Sequence, residues 1–263
     1  MIYCETESGA EMNYIIFDMD DTLLNNNREI SPYTLEVLKT IQSMGNFLVC
    51  NTARSQAFNQ MYFDQLRPDY AILNGGALII DKEEEPVILA EVDAVTTRAV
   101  IGALLKETED LFVQTRGEYY SHKGRSTFQN AVPFDFSAEK FTLPAQKIVA
   151  SVADDARAEE IAAQFGLAYT TYGSGTFRRY SHPGATKALG NQNLMKLVGG
   201  SVADIIAFGD DHGDMDMLRE AGVGVLMKNA AEKLHGQCLY TTQYTNDEDG
   251  VARFLADYFH LAI

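Results

Sequence analysis

Three carboxylates crowd into four residues near the start of the chain, where Tyr14-Ile15-Ile16-Phe17 runs straight into Asp18-Met19-Asp20-Asp21-Thr22-Leu23-Leu24. The apolar run reads as a short strand, which gathers the acids at a strand's end. Like charges a few ångströms apart raise one another's pKa, and a chain that keeps them together binds a hard cation with them or divides acid and base roles between them. A solvated acidic turn is the bland alternative. Three further polar groups follow in order: Asn51-Thr52-Ala53-Arg54, then Lys187, then Gly209-Asp210-Asp211-His212-Gly213-Asp214.

The elements around these groups predict how they are held. After the acidic loop, Ser31-Pro32 supplies an N-cap and a first-turn proline; Val37, Leu38, Ile41 and Met44 follow at helical spacing and Gly45 ends the helix. Phe47 to Cys50, Tyr70 to Leu73 and Ile205 to Phe208 repeat the form of the first strand, an apolar run closed by a polar or glycine turn. Strands of this kind separated by helices indicate a parallel sheet covered on both faces. In open α/β sheets ligands sit beyond the carboxyl ends of the strands. Lys187 opens a helix pattern through Leu189, Leu194 and Leu197.

Between Asp81 and His182 the texture changes. A helix through Val100, Ile101, Leu104 and Leu105 precedes strand-like pieces at 111–113 and 147–150, then a helix from Ala156 to Phe165, then strand-like pieces at 169–172 and 175–177. The division expected is a core of residues 1–80 and 183–263 with an inserted α/β lobe over 81–182. Residues 1–13 read as a loose polar lead-in.

Composition limits the partners. Lys plus Arg number 21 against 37 Asp plus Glu, a formal charge of −16, which repels nucleic acid and anionic membranes. No stretch approaches the ~20 apolar residues of a membrane span, and no basic-then-apolar leader opens the chain. Cys4, Cys50 and Cys238 are odd in number and widely spaced, a pattern suited to a reducing cytoplasm. A soluble cytoplasmic protein, monomeric or a small homo-oligomer, is the expectation.

The four groups, opening with Phe17-Asp18-x-Asp20-x-Thr22-Leu23 and closing with Gly209-Asp210-Asp211-x-x-Asp214-Met215-x-Met217-Leu218, resemble the haloacid dehalogenase (HAD) superfamily. Ala221-Gly222-Val223-Gly224-Val225 and Lys228-Asn229-Ala230 are similar to its Cof-type branch. The resemblance spans nearly the whole chain. It implies a Rossmann-like parallel-sheet core with an inserted α/β cap that governs substrate choice, and a phosphomonoester hydrolase acting on a small phosphorylated metabolite, a sugar phosphate or nucleotide-like compound.

Carried over residue by residue, Asp18 is the nucleophile that forms an aspartyl-phosphate, and Asp20 is the acid that protonates the leaving oxygen and the base that then activates water. Asp21 is left without a catalytic role. Hard oxygen donors, with no His or Cys cluster, favour Mg2+ over zinc. The implied ligands are Asp18, the main-chain carbonyl of Asp20 and Asp210, with Asp214 acting through water or from behind the direct ligands; His212 reads as a loop residue. Thr52 and Ala53 are expected to bind the phosphate, and Lys187 to bridge Asp18 and the phosphate. The chain departs from the branch at Ala53, where a glycine is usual and an added Cβ costs about 1 kcal/mol if φ is positive, and at Gly213, where an asparagine is usual. A sugar phosphotransferase on the same nucleophile and a non-catalytic phosphometabolite-binding protein are the rival readings. Asp20 disfavours dehalogenation, since displacing halide needs no acid for an alkoxide. Arginine, lysine and tyrosine gather at 116–123 and 177–180, and Tyr120 and Arg178 are the substrate contacts expected from the cap.

Overall fold

The computed structural model describes residues 12–125, 131–172 and 176–262. Most of the expected lead-in, including Cys4, and Gly175 of an expected strand lie outside them. All four residues of β1 (Tyr14–Phe17) are buried, as a central strand with layers on both faces requires. Helix α1 (Pro32–Ser43) follows and is capped as its sequence predicts: the Thr34 N–H donates to Ser31 Oγ at 3.0 Å, and Gly45 takes a left-handed φ of +93° just past its end. Then come β2 (Phe47–Asn51), α2 (Gln60–Leu66), β3 (Tyr70–Leu73), β4 (Leu78–Asp81) and β5 (Pro86–Leu89).

The middle of the chain forms α3 (Ala94–Leu104), β6 (Leu111–Gln114), β7 (Tyr119–His122), β8 (Val132–Phe134), β9 (Lys147–Ser151), α4 (Asp155–Phe165), β10 (Ala168–Tyr172) and β11 (Phe177–Ser181). The last part supplies α5 (Lys187–Val198), β12 (Ile205–Gly209), α6 (Met215–Glu220), β13 (Val223–Leu226), β14 (Tyr240–Thr241) and α7 (Gly250–Tyr258).

The first sheet has the order β14-β13-β12-β1-β2-β3-β4-β5, and β14 through β3 run parallel. Register aligns the strand ends: Phe17 pairs with Phe208 on one side and with Cys50 on the other. The turns that leave β1, β2 and β12 therefore emerge together. Phe17, Leu38, Ile41, Leu48, Phe208 and Leu255 belong to one apolar cluster that fixes α1 and α7 against this sheet. Helix α5 lies close on β3, because a Cβ at Gly190 would stand 2.6 Å from Ile72 Cγ2. Its buried side runs through Ala188, Asn191, Leu194 and Met195. Leu197, expected inside, is 49 % exposed because this stripe leaves it on the outer side.

The chain divides into two compact units, one ending at Val87 and resuming at Lys187, the other Ile88–Thr186. The first limit falls later than the sequence suggests, since β4 and β5 extend the core sheet beyond residue 80. In the inserted unit the sheet has the order β10-β11-β9-β6-β7-β8, antiparallel except between β7 and β8. Leu111, Val113, Ile148, Ala150 and Tyr180 share an apolar cluster with Val100 and Leu104 of α3 and Ile161 of α4. One face of that sheet is therefore covered by helices. Strand alternation sends Phe112, Gln114, Tyr119, Lys147, Val149 and Arg179 to the other.

Candidate active site

At the carboxyl ends of β1, β2 and β12, Lys187 joins two of the acids. Its Nζ lies 2.7 Å from Asp18 Oδ1 and 2.5 Å from Asp214 Oδ1. Lys187 is the first residue of α5, and the Asn51 side chain at the end of β2 donates to its carbonyl at 3.0 Å and to Asn191 Oδ1 at 2.7 Å. These buried amide contacts tie the start of α5 to the sheet. Asp214 is fully buried, and its second oxygen accepts the N–H groups of Asp210 and Asp211 at 3.0 and 3.2 Å. Gly209 leaves room for it, since a Cβ there would collide with the Asp214 side chain. Asp214 thus organises the loop that presents Asp210. Asp210 in turn accepts a hydrogen bond from Thr22 Oγ1 at 2.8 Å.

Asp18, Asp210 and Asp214 each offer an oxygen, and all three oxygens lie within 4.8 Å of one another. Every donor is a hard carboxylate oxygen, so the set fits a hard divalent cation such as Mg2+. The electrostatics agree. Burial pushes the Asp18 carboxyl up to about 8; the Lys187 ammonium pulls against this and Asp214 adds to it. Burial and the neighbouring Asp214, Asp211 and Asp21 lift Asp210 to about 7, against the lowering effect of the Thr22 hydrogen bond. Burial opposes the charge on Lys187, but Asp18 and Asp214 outweigh it and keep the ammonium protonated. A cation placed among these acids relieves their mutual repulsion.

Asp20 points elsewhere, into arginines. Arg54 Nε and Nη2 donate to its two oxygens at 2.7 and 2.5 Å, and Arg28 also donates to Oδ1. The Arg54 guanidinium rests over the Tyr62 ring, 5.4 Å from its centroid, and the Tyr62 hydroxyl donates to the Arg28 carbonyl at 2.8 Å. Motif spacing alone does not single out Thr22, Arg28 or Arg54 as site residues, although Thr22 and Arg54 lie inside the motifs themselves. Asp21 has φ of +56°, a left-handed conformation that explains why a glycine or short polar residue belongs there. Its carbonyl accepts from Asn229 Nδ2 at 2.7 Å, which gives the Lys228-Asn229-Ala230 motif a structural purpose.

Thr52 is buried just past β2. Its N–H donates to the Ile72 carbonyl at 2.9 Å, its carbonyl accepts the Gly75 N–H at 2.9 Å, and the Arg54 N–H donates to its hydroxyl at 3.2 Å. Ala53 is absent from the left-handed residues of the chain, so its Cβ brings no backbone strain. At Gly213 a Cβ would stand 3.1 Å from the Asp211 carboxylate, whose Oδ1 already accepts the Gly213 N–H at 2.7 Å. Tyr120 and Arg178 both lie on the helix-covered face of the inserted sheet. Tyr120 packs edge-on against Phe134 and Phe141, and Arg178 pairs with Asp155 of α4 at 2.7 Å. Their surroundings are those of packing residues, because the helices cover the face to which these two strand positions point. A cleft of about 760 Å³ beside β3 and β4 holds none of the site residues. Asp64, Asp69, Asp81, Glu83 and Glu84 give it an acidic lining.

A parallel α/β sheet that gathers a lysine and three aspartates beyond its strand ends defines a hydrolase core of the Rossmann-like class, interrupted by an α/β insertion. The haloacid dehalogenase-like hydrolase family model matches residues 15–255, and the chain belongs to that family. Two relatives are 5-amino-6-(5-phospho-D-ribitylamino)uracil phosphatases of Bacillus subtilis. One is 28 % identical over 94 % of this chain and 97 % of its own, the other 25 % over 93 % and 94 %. A haloacid dehalogenase-like hydrolase from Bacteroides thetaiotaomicron superposes with a TM-score of 0.79 at 23 % identity, over 94 % of this chain and 100 % of that one. The chain is an enzyme of the HAD phosphatase type. Among the described residues no helix is long and apolar enough to cross a membrane.

Proposed function

We propose that the chain is a Mg2+-dependent phosphomonoesterase that passes the phosphoryl group of a small phosphorylated metabolite through Asp18 to water. The observation that carries this reading is the Lys187 bridge between Asp18 and Asp214, with Asp210 beside them, at the joint carboxyl ends of three parallel strands. In the first step an Asp18 oxygen attacks phosphorus, the bond from phosphorus to the leaving oxygen breaks, and Asp20 gives that oxygen a proton. In the second, water attacks the aspartyl-phosphate, Asp20 takes its proton, and the bond from phosphorus to Asp18 breaks to release inorganic phosphate. Asp20 must exchange part of its arginine pairing for the leaving oxygen to do this.

Lys187 offsets phosphoryl charge and orients the nucleophile, and the Thr52 hydroxyl donates to a phosphate oxygen. Asp18, Asp210, the Asp20 carbonyl and, through water, Asp214 would hold Mg2+, which would supply further charge neutralisation. Specificity is assigned to the inserted unit. The names of the two Bacillus relatives support a substrate in which a phosphorylated polyol or sugar is joined to a polar ring. Asp18→Asn tests the reading, because an amide of nearly the same shape cannot attack phosphorus. Phosphate release should vanish while the circular dichroism spectrum is kept; activity within tenfold of wild type would sink the assignment. Accumulation of phosphate only when an acceptor is added would identify a phosphotransferase instead.

A further inference from the structure

Tyr62 touches both arginines that hold Asp20. It lies in the first turn of α2, 3 % exposed, within the apolar cluster of the core sheet. Its ring carries the Arg54 guanidinium, whose central carbon is 5.4 Å from the ring centroid, and its hydroxyl donates to the Arg28 carbonyl at 2.8 Å. An aromatic face beneath a planar cation restricts how that cation is oriented. Held this way, the Arg54 fork meets both oxygens of Asp20, Nε on Oδ2 at 2.7 Å and Nη2 on Oδ1 at 2.5 Å, while Nη1 donates to the Phe58 carbonyl at 3.4 Å. Two-point pairing fixes the direction of a carboxylate as well as its distance.

The two arginines are not equivalent. Arg54 grips both oxygens, and its side chain is 22 % exposed. Arg28 reaches Oδ1 alone, its side chain is 50 % exposed, and it sits in the tight turn 25–29, which closes by the Asn25 N–H donating to the Glu29 carbonyl at 3.0 Å. Exposed ion pairs of this kind are weak. Oδ1 therefore exchanges Arg28 for a leaving oxygen or a water more readily than Oδ2 leaves Arg54 Nε.

We infer that Tyr62 is a positioning residue for proton transfer by Asp20: acting through Arg54, it sets the direction in which the carboxyl group meets the leaving oxygen and the attacking water. This rests on the phosphomonoesterase reading, which gives Asp20 its acid and base roles. Tyr62 lies outside all four polar groups read from the sequence.

Two phosphate esters of similar shape test this, 4-nitrophenyl phosphate, whose phenolate departs without a proton, and benzyl phosphate, whose alcohol oxygen needs one. Tyr62→Leu should lower kcat for benzyl phosphate about tenfold or more and leave that for 4-nitrophenyl phosphate within about threefold, the signature of a misdirected proton donor. Tyr62→Phe keeps the ring under Arg54 and should keep most of the benzyl activity, whereas Arg54→Lys, which lacks the fork, should repeat the Tyr62→Leu pattern. In an Asp20→Asn background Tyr62→Leu should leave the ratio of the two rates unchanged within about threefold, because residues that act through one another are not additive. If Tyr62→Leu loses the wild-type circular dichroism spectrum, Tyr62→Met takes its place in both backgrounds. Equal losses on the two esters, or a further fall of the ratio in the Asp20→Asn background, would make Tyr62 a packing residue and overturn the inference. Wild-type hydrolysis of 4-nitrophenyl phosphate without any of benzyl phosphate would overturn it too, since no proton is then being supplied. Phosphate release from neither ester would fail the phosphomonoesterase reading itself, and the inference with it.

Discussion

Thr22 and Asp210 are 188 residues apart in sequence, yet the Thr22 hydroxyl donates to Asp210 Oδ1 at 2.8 Å. The bond fixes one carboxylate of the acidic cluster from the loop that carries Asp18. Groups that orient a metal-binding carboxylate typically contribute on the order of 10- to 100-fold to metal affinity. Thr22→Val should therefore raise the Mg2+ concentration needed for half-maximal activity by about tenfold or more, and Thr22→Ser should recover most of the loss. A Mg2+ titration that is superimposable for wild type and Thr22→Val would remove this role.

Asp20→Asn should reduce kcat by roughly 10²–10⁴-fold, the range for loss of a general acid–base group. The penalty should shrink for aryl phosphates, whose leaving oxygens need little protonation, and be largest for alkyl phosphates. Comparing the two substrate classes checks the assignment: the same penalty in both would assign Asp20 to holding Arg28 and Arg54 and not to proton transfer.

Tyr120→Ala should lower stability by roughly 2–4 kcal/mol, because it empties an aromatic cluster shared with Phe134 and Phe141. Arg178→Ala should lower it by about 1–2 kcal/mol through loss of the Asp155 pair and of stem packing. Urea unfolding monitored by circular dichroism reads both. Wild-type unfolding midpoints with a selective rise in KM would return these residues to substrate binding.

Mg2+ should stabilise the protein more at pH 8 than at pH 5. Asp18 and Asp210 are raised to about 8 and about 7 in the fold, above the ordinary 3.8. Between those limits the folded chain holds more protons than the unfolded one, so without metal this contribution to stability is present at low pH and is lost as pH rises through 7 to 8. A divalent cation takes the place of those protons and is favoured once they leave. Thermal unfolding with and without Mg2+ at the two pH values measures the difference. An equal or larger Mg2+ shift at pH 5 would contradict it.

Much of the site was legible in the chain itself, because its signals are local. Asp18, Thr52 and Asp210 each follow an apolar run that reads as a buried strand, and parallel sheets place such turns at one end. Crowding of Asp18, Asp20 and Asp21 pointed to a cation or to divided acid and base roles, yet of these three only Asp18 joins the cluster with Asp210 and Asp214, while Asp20 turns to Arg54 and Arg28. The partners of those acids were decided by tertiary structure. Nothing in the spacing of Thr22 and Asp210, or of Asp20 with Arg28 and Arg54, says which oxygen meets which donor; that depends on the register of β1 with β2 and β12. The inserted unit shows the same limit more sharply. Alternation along β7 and β11 separates Tyr119 from Tyr120 and Arg178 from Arg179, but sequence alone does not say which set faces inward. Helices α3 and α4 settle this by covering the face of Tyr120 and Arg178, leaving Arg179 and Lys147 together on the other.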